Sequence, residues 1–487
     1  MSDVQPTNLI LICSDEHNRE ITGCYGNDIV RTPNLDALAA RGTRFDNAYT
    51  NCPICVPARA SLATGRYAHQ IRKWDNGHPY FGEPRSFGHR LIEHQRQVAA
   101  IGKLHYRSTR DPNGWSEEIG TLHVIEEIGD IAGCIRKDML PRRTAHNLAR
   151  QAGRGDSSYQ RYDNSSADNA VKWLERAASQ PSEQPWMLYV GFVMPHFPLV
   201  ARPEFFDLYP PESLPWPRAY ARSERPDHPV LRELARIQCY DDYFDEQTVR
   251  IARAAYFGMV THLDKCVGRV LETLERTGLA STTRVIYTSD HGDNLGNRGM
   301  WGKSNMFEES AAVPMLMAGP QVPAGGRVEA PVSLVDAYPT ILESVGIELD
   351  QSERETLPGH SLLRIANGEI PQRTVLSEYH AVGAMTGMFM IRDGHYKYVH
   401  YVGQRPQLFD LQNDPHEQQD LANVPEHAGT LARCEAKLRD VCDPDAVNAQ
   451  AFADQAALLE EHGGREAVLA RGDFGYTPAP GEQTHFS

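Results

Sequence analysis

Short, almost unbroken apolar runs recur along this chain, and each ends in a polar or charged cluster. Asn8-Leu9-Ile10-Leu11-Ile12-Cys13 leads into Ser14-Asp15-Glu16-His17. Val98 to Gly102 leads into Lys103-Leu104-His105, and Trp186 to Met194 into Pro195-His196-Phe197-Pro198. Thr283 to Ser289 leads into Asp290-His291-Gly292-Asp293, and Lys303 follows on a Gly- and Trp-rich loop. Runs of this kind predict strands buried on both faces, as in a parallel sheet covered by helices. Such sheets place their sites just past the carboxyl ends of the strands. A period of two puts Lys103 and His105 on one face. In isolation, Asp15 reads first as a turn or cap carboxylate, and each histidine is more often structural than catalytic.

Other segments carry helical spacing. Thr32 to Gly42 predicts a short helix capped by Thr32, with Pro33 in its first turn and Gly42 at its end. From Gln247 to Thr277, Tyr256, Met259, Val260, Leu263, Val267, Val270, Leu271 and Leu274 form one buried stripe, which Gly278 stops. That stripe reads as packing rather than chemistry. Asp336 is expected near a helix start. The stretches 111–164 and 202–245 are polar and irregular, and they predict long loops walling a pocket. Near the C-terminus, Met388–Arg392 and Tyr396–Val399 flank Asp393-Gly394, a hairpin signal. Leu408–Leu411 closes that sheet, and an acidic, Ala-rich helix follows. The tail Gly475–Gly481 is too rich in Pro and Gly to pack alone and is expected to dock on a neighbouring subunit. The fold class is α/β: a large mixed, mostly parallel sheet flanked by helices over 1–370, then a smaller α+β part over 371–487.

Composition narrows the function classes. A length of 487 residues exceeds one ordinary domain. The formal net charge of −15 disfavours a nucleic-acid or anionic-membrane partner, while leaving room for a local basic pocket. No apolar stretch approaches the ~18 residues of a membrane span. Met1–Thr7 has no basic, then apolar, leader pattern, so the expected location is cytoplasmic. Nine cysteines, an odd number scattered from Cys13 to Cys442, do not form a disulfide framework.

One of those cysteines organises the rest. Cys55-x-Pro57-x-Arg59 precedes Ala60-Ser61-Leu62-Ala63-Thr64-Gly65. Pro57 suits a first helical turn, so Cys55 falls at a helix N-terminus, where backbone N–H groups favour an anion. Cys52-x-x-Cys55 also admits a redox pair or half a zinc site. Against these, the chain has no second CxxC, and Pro57 and Arg59 mean nothing to a thioredoxin-like motif.

Taken in order, Asp15, Cys55-x-Pro57-x-Arg59, Lys103-x-His105, Pro195-His196-x-Pro198, Asp290-His291-Gly292, Gly302-Lys303 and Leu408-Phe409-Asp410-Leu411 resemble the formylglycine-dependent sulfatases of the alkaline phosphatase superfamily. The resemblance spans roughly residues 5–425. It implies that Cys55 is oxidised to formylglycine by a formylglycine-generating enzyme, and that its hydrated aldehyde is the nucleophile. It implies metal ligation by Asp15, Asp290, His291 and the modified Cys55. It implies that Arg59 holds the diol oxygens and that Lys103 and Lys303 clamp the sulfuryl oxygens. His196, helped by Lys303, is the implied proton donor to the departing alcohol, and His105 the base that collapses the covalent intermediate. The substrate so implied is a small-molecule sulfate monoester, aryl or alkyl. A poor electrophile with a poor leaving group needs this kit: a divalent metal, fixed cations and an imidazole.

Two departures shape the expectation. Glu16 follows Asp15 where many arylsulfatases have a second Asp, and His291 stands at an Asn position. A His ligand opens the site to Mn2+ as well as Ca2+, with Ca2+ the first expectation, and leaves open whether Glu16 touches metal. The pattern is similar to the branch of choline sulfatases and phosphonate monoester hydrolases, which implies a homodimer or homotetramer. A phosphonate monoester or phosphodiester hydrolase on the same machinery is the competing enzyme reading. A binding protein that kept the fold is a third, disfavoured by the complete residue set.

Overall fold

The computed structural model describes residues 4–142, 144–370, 372–473 and 475–483. An eight-stranded sheet carries the fold. In chain order its strands are β1 (Asn8–Asp15), β2 (Gly42–Phe45), β3 (Val98–Lys103), β4 (Glu117–Leu122), β5 (Met187–Pro195), β6 (Thr283–Ser289), β7 (Met315–Ala318) and β8 (Gly326–Val328). Their spatial order is β8-β2-β7-β6-β1-β5-β3-β4. Every pairing is parallel except those of β7, which runs against both β6 and β2. The mixed, mostly parallel sheet expected from the apolar runs is therefore present.

β1 lies in the middle, and its alternation splits the core in two. Ile10 and Ile12 face helices α3 (Ser158–Ser179) and α4 (Glu246–Arg276), together with Leu35 and Leu38 of α1 (Pro33–Ala40). Leu9, Leu11 and Cys13 face α2 (Cys55–Thr64) and α5 (Ala337–Ser344). Each of these β1 side chains is fully buried, worth roughly 1.5–3 kcal/mol per large aliphatic group. Apolar residues on both faces remove the alternation seen in half-exposed strands, which is why β1 reads as a continuous run.

Several local expectations change in the structure. Thr32 precedes α1 but does not cap it; its hydroxyl accepts from Gly23 N and donates to Asp36. Gly42 opens β2 instead of ending α1, because a side chain there would run into the Met317 carbonyl of β7. The polar stretch 111–164 is not one loop: it contains β4, a helix at Thr144–Gln151 and the start of α3. The stretch 202–245 likewise holds the amphipathic helix Pro229–Gln238. Polar surface residues masked the sparse apolar positions of these elements.

The C-terminal part is an antiparallel meander of β9 (Thr374–Tyr379), β10 (Met388–Asp393), β11 (Tyr396–Tyr401) and β12 (Gln407–Asp410). Asp393 pairs with Tyr396, so Gly394-His395 makes the turn, one residue later than Asp393-Gly394. Helix α6 (Ala428–Val441) covers this sheet through Cys434 and Leu438. Lys397 of β11, fully buried, joins it to the part built on the large sheet, with its ammonium 2.9 Å from Glu308 and 2.7 Å from Glu417. All nine cysteines are free thiols. Among the described residues no helix is long and apolar enough to cross a membrane.

Candidate active site

The strand ends assemble one site. Parallel pairing sets Ser14 beside Ser289, so Asp15 at the end of β1 and Asp290 just past β6 emerge side by side. Cys55, the first residue of α2, enters from above them. Its helix start is held by Asn76, whose Oδ1 accepts from Val56 N at 3.1 Å. Cys55 Sγ lies 3.2 Å from His291 Nε2 and 3.6 Å from Asp15 Oδ1. His291 Nε2 is 3.6 Å from Asp15 Oδ1 and 3.7 Å from Asp290 Oδ1. His291 Nδ1 faces the Gly292 carbonyl at 3.1 Å, and donation there leaves the Nε2 lone pair turned to the cluster.

The donor atoms of Asp15, Cys55, Asp290 and His291 lie within 4.8 Å of one another, all buried. Two carboxylates, an imidazole and a Cys55-derived atom make a mainly hard donor set that fits a divalent cation. The carboxylates are held from behind. Arg59 Nε donates to Asp290 Oδ2 at 2.7 Å, and Lys103 Nζ pairs with Asp15 Oδ2. Arg59 Nη1 donates to the Lys103 carbonyl at 2.7 Å and the Tyr189 hydroxyl at 2.8 Å. The guanidinium thus braces the carboxylates and does not line the open cleft. Burial raises the Asp15 carboxyl, but Lys103, His196 and Arg59 outweigh it and hold it well below its ordinary value. Burial, aided by Asp15, pushes the Cys55 thiol up to about 12.

A second group stands opposite. Lys303 Nζ is 2.9 Å from Glu16 Oε2 and 2.9 Å from His196 Nε2. His196 Nδ1 faces the Phe197 carbonyl at 2.7 Å, which turns Nε2 to the lysine. Burial and the adjacent Lys303 hold His196 well below the usual imidazole range. Burial opposes the Lys303 charge, but the acidic groups around it, Glu16 and Asp15 among them, outweigh burial and raise the ammonium above its ordinary value. Glu16 therefore faces Lys303 and His196, while its Oε1 has no hydrogen-bond partner. It reaches this position with φ 70°, held by Tyr256, whose hydroxyl donates to the Glu16 carbonyl at 2.6 Å. Tyr256 lies on the stripe expected only to pack, so that stripe also supports the site.

His105 comes to the cleft by a different route from the expected ladder. β3 ends at Lys103, the β3–β4 register shifts between Ile101 and Lys103, and His105 adopts φ 60°. Gly102 permits the shift, since a side chain there would meet the Gly191 carbonyl of β5. Cys55, Lys103, His105, His196 and Lys303 all line one cleft, with Asp15, Arg59, Asp290 and His291 around its floor. All nine candidate residues are thus brought together.

Several cleft residues, Tyr159, Tyr476 and Thr477 among them, escaped sequence reasoning. Tyr159 starts a helix in a stretch read as loop, and nothing local distinguishes the other two. The segment that carries Tyr476 and Thr477 packs on its own chain at this cleft, where the Thr477 carbonyl accepts from the Tyr159 hydroxyl. Thr477 Oγ1 lies 3.0 Å from His105 Nε2. A further cluster of Asp75, His78 and Cys134 is closed on itself: Gly77 N, His78, Cys134 and Gln455 all bond the Asp75 carboxylate.

Comparison with known proteins agrees with this geometry. The sulfatase family model matches residues 7–347, and the model for the C-terminal part of N-sulphoglucosamine sulphohydrolase matches residues 296–443. The chain is 35% identical over 428 residues to a choline-sulfatase of Rhizobium meliloti (strain 1021), covering 86% of this chain and 83% of that one. It is 31% identical over 440 residues to human (Homo sapiens) arylsulfatase K, covering 86% and 78%. In fold it is similar to a phosphonate monoester hydrolase of Agrobacterium radiobacter, with TM-score 0.72 at 23% identity, over 91% of this chain and 96% of the other. A match over most of the chain, with the strand-end cluster intact, places this protein in the sulfatase family as a sulfuric ester hydrolase.

Proposed function

We propose that the chain hydrolyses sulfate monoesters, aryl or alkyl, with Cys55 converted to formylglycine as the source of the nucleophile. The observation that carries this reading is the convergence of Asp15, Asp290 and His291 on Cys55, flanked by Lys103 and Lys303. In this structure Cys55 Sγ stands where a hydrated aldehyde would present its oxygens. A formylglycine-generating enzyme supplies that modification. Asp15, Asp290, His291 and the modified Cys55 would hold Ca2+ or Mn2+, which supplies Lewis acidity toward the ester and the nucleophile.

The remaining roles follow from contacts. Arg59 fixes Asp290 and, through the Lys103 carbonyl, the end of β3. Lys103 and Lys303 give the cleft two fixed positive charges for the oxygens on sulfur, effective because they need not reorganise. The Lys303–His196 pair donates the proton that the leaving alkoxide needs as its bond to sulfur breaks. With His196 driven toward its neutral form, that proton resides on Lys303 at rest. His105, buried and neutral, is the base on the other side of the cleft.

The phosphonate monoester reading uses the same groups, and the structural similarity to phosphonate monoester hydrolases favours keeping it as the alternative. Two measurements test the proposal. Mass spectrometry of the tryptic peptide Phe45–Arg59 from native-host protein should show conversion of the Cys55 thiol to aldehyde. Turnover of matched aryl sulfate and aryl phosphonate esters should favour the sulfate; a clear phosphonate preference transfers the assignment to the alternative, and an unmodified Cys55 ends the formylglycine mechanism.

A further inference from the structure

We propose that the C-terminal segment 475–480 is part of the catalytic cleft, with Thr477 a positioning residue for His105 and Tyr476 a wall that limits the departing alcohol. The proposal rests on the hydrolytic reading above. Its starting point is an imidazole with one nitrogen tied and one free. His105 is buried, its Nε2 is 3.0 Å from Thr477 Oγ1, and its Nδ1 has no hydrogen-bond partner. A hydroxyl oxygen that accepts from Nε2–H leaves the lone pair on Nδ1, on a ring that lines the same cleft as Cys55. A base must keep one tautomer and one orientation to take a proton productively, and displacement by about 1 Å can cost on the order of 100-fold.

The tail is anchored well enough to do this. Tyr159 donates its hydroxyl to the Thr477 carbonyl at 2.6 Å. Its ring meets Tyr476 edge-on at 5.1 Å and His196 at 6.1 Å, so one residue ties the tail to both histidine sides of the cleft. Ala479 packs with Leu122 and Val193, at the ends of β4 and β5. Pro478 and Pro480 restrict the backbone of the segment, which lowers the entropy lost on docking.

The same segment sets the size of the cleft. The catalytic cavity holds about 100 Å3 and is bounded by Gly475, Tyr476 and Thr477. Gly475 and Tyr476 also line a second cavity of about 900 Å3, together with Arg150, Ser157 and Arg161. The tail is thus a wall common to both. With it in place, the site admits a sulfate group and a compact alcohol; without it, bulky alcohols gain room.

The test uses full-length enzyme, Thr477→Val, Thr477→Ser, Tyr476→Ala and a chain stopped after Asp473. Thr477→Val should lower kcat on 4-nitrophenyl sulfate about tenfold with KM within about twofold, and Thr477→Ser should recover most of it. Nitrogen-15 NMR of the His105 ring should show the Nε2–H tautomer in the parent and a mixture in Thr477→Val, whatever the state of Cys55. Tyr476→Ala and the shortened chain should raise the ratio of steroid sulfate to 4-nitrophenyl sulfate turnover about tenfold. Unchanged kcat and tautomer in Thr477→Val overturn the positioning role, and an unchanged ratio in Tyr476→Ala overturns the wall. If the parent hydrolyses neither sulfate, the hydrolytic reading fails, while the NMR result still decides the Thr477–His105 contact.

Discussion

Replacing Lys397 by Met removes the cation at the join between the two parts while keeping most of the side-chain volume. The ammonium is fully buried, 2.9 Å from Glu308 and 2.7 Å from Glu417. Glu308 keeps a partner, Arg19, at 2.8 Å. Glu417 keeps a backbone donor, Glu308 N at 2.7 Å, and is otherwise left as a buried carboxylate. Breaking a buried pair on one side costs about 3–5 kcal/mol. An independent bound comes from the escape route, in which Glu417 takes a proton. Neutralising a carboxyl of ordinary pKa ~4.3 at pH 7 costs about 4 kcal/mol at 1.36 kcal/mol per unit. The two figures agree, and about 4 kcal/mol is a large share of a typical folding free energy. Urea unfolding followed by tryptophan fluorescence checks it. The midpoint should fall markedly at pH 7.5. It should fall much less at pH 5, because the folded variant then binds a proton that relieves the site. Lys397→Met with Glu417→Gln should recover most of the loss. A single-variant loss under about 1 kcal/mol, or equal losses at both pH values, would refute the reasoning.

Three further outcomes follow from other parts of the molecule. His196→Gln should lower kcat about 100- to 1,000-fold on alkyl sulfates but under about tenfold on 4-nitrophenyl sulfate, whose alcohol leaves without a proton; equal losses on both count against the Lys303–His196 donor. Ca2+ or Mn2+ titrated into EDTA-treated protein should raise the melting temperature, by about 2.7 kcal/mol of stabilisation at 100 times Kd, and Asp290→Ala should abolish the rise. His262, stacked on Phe205 at 4.4 Å, is lowered from 6.5 to about 4 by burial and by Arg202 and Lys265. The unfolded chain therefore takes its proton first, so this part of the stability is full above pH 6.5 and up to about 3 kcal/mol is lost as pH falls toward 4. His262→Gln should flatten that slope in urea midpoints between pH 7 and 4.5, and coincident slopes disprove the contribution.

What the sequence determined by itself is the chemistry and its placement at strand ends. β1, β3, β5 and β6 are legible because burial on both faces demands unbroken apolar runs, and the polar residues that end them have nowhere to go but the sheet edge. Cys55 was placed at a helix start by Pro57 and Gly65 alone. The tertiary structure decided how those ends meet. Parallel registers between β1 and β6 bring Asp15 to Asp290 across 275 positions, and no local pattern encodes a register. His105 reaches the cleft through the β3–β4 register shift and a positive φ, which a period-two reading misses. Glu16 was legible as a departure, but only packing turns it toward Lys303 and His196. Thr477 and Tyr476 lie in a segment whose sequence has no core of its own. Their position depends on Tyr159 and on the ends of β4 and β5, contacts that exist only once the chain has folded.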